Sequence, residues 1–182
     1  MLAYSFFTAY VISVTFLYLS NSKTMILALN FWACFFCGIY LVLTGGYAGV
    51  IACIAAGSAS LYQLYTINYL SHISKRRVVL YKFLGSSIFA LIGILAVYQN
   101  LSDLYLVIAI VLCRGGEMCP NQHQMKIGYT FAEALWMLYA ADNDLIPLYI
   151  VHLIMTILGI FMLMRHYYPL LSKNKITKER NQ

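Results

Sequence analysis

Read for apolar and polar positions alone, the chain alternates long apolar segments with short polar breaks. The first segment runs from about Tyr4 to Ser20 and ends at Asn21-Ser22-Lys23. The second runs from about Met25 to Leu43 and ends at Thr44-Gly45-Gly46. The third runs from Tyr47 to about Tyr69, before the basic cluster Lys75-Arg76-Arg77. The fourth covers about Val79–Tyr98, with Lys82 near its start. The fifth begins near Leu101 and meets Arg114-Gly115-Gly116 after about ten apolar residues. The sixth is Lys126–Asp142, KIGYTFAEALWMLYAAD, and the seventh runs from about Ile146 to Met164, followed by Arg165 and the polar tail Ser172–Gln182. Each segment is of membrane-spanning length as a helix except the fifth. That one must take Arg114 into the membrane or break at its glycines there.

The pattern predicts an all-α polytopic membrane protein with seven transmembrane helices, the N-terminus out and the C-terminus in. Charge agrees with this count. With the tail cytoplasmic, all 12 Lys and Arg fall on the cytoplasmic side, Lys82, Arg114 and Lys126 among them, while Asp103, Asp142 and Asp144 fall on the outer side. That is the positive-inside asymmetry. No basic stretch with a small-residue cleavage site opens the chain, so no signal peptide is expected.

Composition excludes the soluble alternatives. Of the 182 residues, 62% are hydrophobic and 10% charged, and mean hydropathy is +0.76. A soluble domain is nearer half apolar and a quarter charged. The net charge of +6 sits in short breaks and the tail, which indicates anionic lipid rather than nucleic acid as its partner. Five cysteines, Cys34, Cys37, Cys53, Cys113 and Cys119, have no spacing of a secreted disulfide framework. Cys34-x-x-Cys37 has the spacing of a redox or metal pair, and inside an apolar segment the competing reading is buried small apolar side chains. Tyr47, Tyr69, Tyr98 and Tyr105 stand near segment ends, as interfacial anchors do.

A shift of one hundred residues lays segments one to three over five to seven. Lys23 then meets His123, and Thr44–Gly46 meets Asp144–Ile146. The expected organisation is residues 1–78 as a first three-helix bundle, 79–100 as a linker helix, 101–171 as a second, parallel three-helix bundle, and 172–182 as a basic cytoplasmic tail. An odd linker makes the two repeats parallel. In this register Glu133 and His152 are equivalent to Ala33 and Ala52.

The sixth segment carries the candidate chemistry. As a helix it is roughly 24 Å long, which puts Glu133 near the midplane, where an ionisable group is costly and marks a functional site. Taking Asn143 as the tip of the following turn, Glu133 lies ten residues before it and His152 nine after, so the two sit at equal depth. They make a candidate protonation switch or polar anchor; a structural hydrogen bond is the competing reading. Arg114 is the rival partner for Glu133, unless it extends to the headgroups beside Glu117. Tyr129, Glu133, Trp136 and Ala140 share one helical face, and His152, Thr156 and Gly159 another. The small residues Ala55–Ser60 suit either close packing or a central cavity. Asn30 and Gln63 are polar at membrane depth.

Two stretches carry a resemblance. They are FLYLSNSKTMILALNFWACFFCGIYLVLTGGYAGVIACIAAGSASLYQLY and LCRGGEMCPNQHQMKIGYTFAEALWMLYAADNDLIPLYIVHLIMTILGI. Their order of features resembles the YgjV-type bacterial inner-membrane protein family, and the three-one-three plan is similar to that of SWEET and PQ-loop carriers. The Pro-Gln dipeptide of the latter does not occur; Pro120-Asn121-Gln122 is a near miss. The resemblance implies a multi-pass protein of the bacterial inner membrane.

The resulting expectation is a small polar-solute transporter, proton-linked, with a midplane site of Glu133, Trp136, His152, Asn30 and Tyr129 between the two bundles. The alternative is a non-transporting accessory or assembly protein of an envelope complex. Enzyme signatures such as Gly-x-Ser-x-Gly or His-Glu-x-x-His are lacking, and no cofactor or metal is expected. The partners expected are membrane lipids, a small polar solute, and a second copy or a membrane partner protein.

Overall fold

The computed structural model describes residues 2–69, 75–119 and 122–180, for 67–69, 75–76, 122 and 168–180 as backbone alone. The side chains of Lys75 and Arg76, the Pro120-Asn121 pair and the side chains of the tail lysines therefore lie outside the described residues. These residues form α1 (Leu2–Leu19), α2 (Lys23–Thr44), α3 (Tyr47–Tyr69), α4 (Lys75–Ala96), α5 (Asp103–Met118), α6 (Gln122–Asp142) and α7 (Ile146–Arg180), and among them there is no strand. The last helix runs on through the expected tail boundary at 172.

Five helices are long and apolar enough to cross a membrane: α1, α2, α3 to Thr66, α4 from Arg77, and α7 to Tyr167. The other two fall short of that measure. α5 has 16 residues, roughly 24 Å, and the first turns of α6 carry Gln122, His123, Gln124 and Lys126.

Short breaks force consecutive helices to pack side by side, and they do so in chain order from α1 to α7. α3 also meets α5, and α1 meets α7, so the two halves close on each other, with α4 lying against both α3 and α5. The outward faces stay apolar, for example Phe35 and Val42 on α2, Ile88 and Ile92 on α4, Phe131 on α6, and Ile154 and Phe161 on α7.

The helices alternate in direction, as contacts at their ends establish. At one end, Lys23 at the start of α2 donates its ammonium to the carbonyls of Glu117 (2.9 Å) and Cys119 (3.2 Å), where α5 finishes. Lys126 in the second turn of α6 donates to the carbonyl of Tyr18 (2.8 Å), where α1 finishes. Each half thus supplies a lysine for the orphan carbonyls that end a helix of the other. At the opposite end, the Gly49 N–H donates to the Tyr139 hydroxyl (3.3 Å), and Asn143 donates to Ser102 (3.0 Å). Asp103 accepts from the N–H groups of Gln99 and Asn100 there.

Several helix ends and both inner turns recur at an interval of 99 residues, not 100. α2 and α6 start at Lys23 and Gln122, α3 and α7 at Tyr47 and Ile146, and α1 and α5 end at Leu19 and Met118. Both inner turns use one left-handed residue, Gly45 (φ 85°) and Asp144 (φ 55°). Each is followed by the same closing bond, Gly46 N–H to Leu41 O (3.0 Å) and Leu145 N–H to Ala140 O (2.9 Å). This pattern ends a helix by satisfying its last carbonyls. Glu133 and His152 are therefore equivalent to Cys34 and Cys53, not to Ala33 and Ala52. A one-residue error turns every helical position by about 100°, and scattered identities in so apolar a chain do not resist it.

The fifth helix does not break at its glycines. α5 passes through Gly115-Gly116 because α6 lies directly against it: a Cβ on Gly116 would stand 3.0 Å from the Met125 carbonyl, and one on Gly128 only 2.5 Å from that of Leu112. The two backbones meet where neither has a side chain.

Candidate functional site

Between the two halves lies a cavity of about 60 Å³, walled by residues of α1, α2, α3, α5, α6 and α7. Its lining follows the repeat. Tyr10 and Ala109, Val14 and Cys113, Asn30 and Tyr129, Ala33 and Ala132, Cys34 and Glu133, Cys37 and Trp136, and Cys53 and His152 are pairs 99 positions apart, and every member lines the cavity. The positions recur at 99, and apart from Ala33 and Ala132 the two halves fill them with different residues. The first half supplies Tyr10, Asn30 and three thiols, the second one thiol, a phenol, an acid, an indole and an imidazole.

Glu133 and His152 meet as their equal depth predicts, the Nδ1 of the imidazole bonded to the carboxylate Oε2. On its other side the ring's Nε2 is 3.2 Å from the Tyr10 hydroxyl of α1. The indole of Trp136 stacks on the imidazole, ring centres 5.4 Å apart and planes 17° from parallel. The His152 side chain is 4% exposed and that of Glu133 13%, so the carboxylate is the more open end of this chain of groups. A neutral imidazole with its proton on Nδ1 accepts from Tyr10 at Nε2; a doubly protonated one donates there. The arrangement can hold one proton more or less with a hydrogen-bond partner in either state.

A second polar cluster forms the floor on the α5 side. Arg114 and Glu117, three residues apart on α5, are both 0% exposed. Nη1 of Arg114 donates to Glu117 (2.9 Å) and to the Ser60 hydroxyl of α3 (3.1 Å). Glu117 also receives the Tyr129 hydroxyl from α6 and the Lys82 ammonium from α4. Lys82 further donates to Gln63 of α3, and Asn30 of α2 donates to Ser60 (2.9 Å). The Glu117 carboxylate ties α4, α5 and α6 and serves two cations, while Ser60 and Gln63 bring in α3 and Asn30 brings in α2. The close Gly116–Gly128 crossing makes this possible, since Glu117 and Tyr129 are the next residues on their helices.

All five residues expected at the site, Glu133, Trp136, His152, Asn30 and Tyr129, line the cavity. Two of them turn their polar atoms to neighbours: Tyr129 to Glu117, Asn30 to Ser60. The two expectations for Arg114 are both corrected. It neither extends to the headgroups nor pairs with Glu133, because Glu117 is one helical turn away on its own helix. Lys82, Arg114 and Lys126, counted as cations of the cytoplasmic side, are buried among the helices. Their partners Glu117 and the Tyr18 carbonyl hold them there. The pattern of the chain does not point to Glu117, Lys82, Ser60 or Tyr10 as members of the site. The Arg114-x-x-Glu117 spacing, right for a same-face ion pair, is the available signal for the first.

Ala56 of the small-residue stretch lines the cavity, while Gly57 lies close to Cys34, so the stretch both packs and leaves room. All five cysteines are free. Among the described residues no three His, Cys, Asp or Glu side chains are grouped to hold a metal ion. Comparison with protein-family models, curated proteins and solved structures returns no match.

Proposed function

We propose that this chain is a seven-span protein of the bacterial inner membrane that carries a small polar solute, coupled to a proton. In this reading α5 and α6 also span, their polar faces turned inward, with the N-terminus outside and the C-terminus inside. The resemblance to YgjV-type proteins supports the location, and the reciprocal lysine caps at one end with Asp103, Asp142 and Asp144 at the other support the orientation.

One observation carries the reading: a cavity at the seam of two repeats, with the Glu133–His152–Tyr10 relay in its wall. Carriers built from repeats hold their substrate at the repeat interface near the midplane. Ionisable groups in a membrane interior mark such paths. The accessory-protein reading draws on the cavity's modest size, well below the roughly 300 Å³ at which drug-sized ligand sites begin.

Purified protein in liposomes with a trapped pH dye decides between them. Addition of small polar solutes should drive solute-dependent proton entry, and Glu133→Gln should abolish it. Protein-free rates for every solute class would remove transport and leave the accessory role.

A further inference from the structure

Four of the five cysteines, Cys34, Cys37, Cys53 and Cys113, line the cavity between the halves, and all are free. Two of them meet. Cys37 stands eight residues before the left-handed Gly45 and Cys53 eight residues after it, so the α2–α3 hairpin brings them to equal depth. The helices are close at this level: a Cβ on Gly38 would stand 3.5 Å from that of Cys53. The thiol of Cys53 is a hydrogen-bond neighbour of the Cys37 thiol. Both residues are buried, at 5% and 3% exposure. The interval of 99 gives the reason. Cys37 and Cys53 take the places of Trp136 and His152, whose rings stack. The backbone geometry that stacks two rings in one half sets two sulfurs side by side in the other.

We propose that Cys37 and Cys53 bind one soft monovalent metal cation, of the class of Cu(I), between their sulfurs. Thiolates select soft metals, and the number of ligands selects among these. Zinc takes three or four protein ligands, and iron–sulfur clusters take four thiolates. Among the described residues no three His, Cys, Asp or Glu side chains are grouped for a metal. Cu(I) is satisfied by two thiolates on opposite sides of the ion. The Cys-x-x-Cys spacing in the chain would give Cys37 the partner Cys34; the fold sets Cys53 of the neighbouring helix against it instead. Binding replaces two S–H bonds by two S–Cu bonds, releases two protons and changes no oxidation state. The Glu133–His152 pair in the wall of the same cavity accepts one proton, and the other passes to water. The site goes beyond the transport reading and does not depend on it.

The test uses the purified full chain in detergent, without a histidine tag and without oxygen. Cu(I) is offered as its bicinchoninate complex with ascorbate present, and transfer is read as loss of the complex's colour. The wild-type chain should withdraw one equivalent. Cys37→Ser and Cys53→Ser should each weaken binding by more than about a hundredfold, since loss of even a supporting residue around a metal costs about 10–100-fold. Cys34→Ser breaks only the linear Cys-x-x-Cys spacing, and Cys119→Ser lies at the end of α5, outside the cavity lining; both should bind as the wild type does. X-ray absorption at the copper edge of the loaded wild type, which needs no variant, should report two sulfur neighbours.

Failure of the wild-type chain to take Cu(I) overturns the inference, as does binding that survives Cys37→Ser combined with Cys53→Ser or is lost in Cys34→Ser. Three or more sulfur neighbours, or nitrogen in their place, would overturn it as well. So would a Cys37–Cys53 disulfide in protein alkylated on extraction, because the pair would then be a cross-link. Thermal unfolding separates ligand loss from misfolding: Cu(I) should raise the Tm of the wild type and leave that of Cys53→Ser unchanged. Copper binding without solute-dependent proton entry in liposomes would uphold the metal site and remove the transport reading. Proton-coupled solute entry by a chain that binds no copper would do the reverse.

Discussion

Glu117→Gln tests the charge balance of the interior. Glu117 is 0% exposed and is the shared partner of Arg114, Lys82 and Tyr129. The substitution keeps the shape and one acceptor oxygen, so its effect is electrostatic. It leaves two buried cations without a counter-charge. Removing one partner of a buried ion pair costs about 3–5 kcal/mol. For a chain of 182 residues, each kcal/mol corresponds to a fall of roughly 2–4 °C in Tm. The expected loss is therefore about 6–20 °C. Buried Cys37 and Cys53 offer the readout, since a thiol-reactive dye reaches them only when the helices separate. The contrasting substitution is Lys82→Met. It removes one of the two cations and leaves Arg114 with Glu117 as a balanced pair, and the Glu133–His152 pair can take up a proton to compensate. It should cost no more than about 1 kcal/mol, the net worth of a hydrogen bond, and should recover part of the loss when combined with Glu117→Gln. A fall under about 2 °C for Glu117→Gln, or equal falls for both single variants, would refute the reasoning, because the cluster would then not be short of negative charge.

The helix crossing and the polar end of α6 each give a further prediction. Gly128→Ala places a Cβ 2.5 Å from the Leu112 carbonyl, and overpacking of this kind costs about 1–3 kcal/mol; Gly115→Ala, with nothing within 4 Å, should be neutral or gain up to ~1 kcal/mol, both read as Tm shifts. His123, its ring stacked on His166 at 3.5 Å, is held below the ordinary histidine pKa by burial first, then by His166 and Lys126. A depressed folded-state pKa means the unfolded chain takes the proton first, so stability should fall as pH drops below about 6.5, and His123→Phe should flatten that slope in thermal unfolding between pH 7.5 and 5.

The helices and one pair of the site are legible in the linear chain. Polar and glycine breaks set the helix ends, so the third segment, Tyr47–Tyr69, matches α3 at both ends. Glu133 and His152 can be paired from the chain because they share a hairpin, where equal distances from a turn mean equal depth. The remaining features come from packing. It closes α1 on α7 and α3 on α5, turns Lys82 and Arg114 inward, and joins them to Glu117 across helices far apart in the chain. It also sets the repeat at 99, which brings Cys34, Cys37 and Cys53 opposite Glu133, Trp136 and His152. The physical reason is the same in each case. Apolar periodicity is a local property and states that a helix has an inward face, whereas the partner that face meets depends on rotation about the helix axis. Here that rotation is set by where backbones can touch, at Gly116 against Gly128, and by where left-handed residues end the helices, at Gly45 and Asp144.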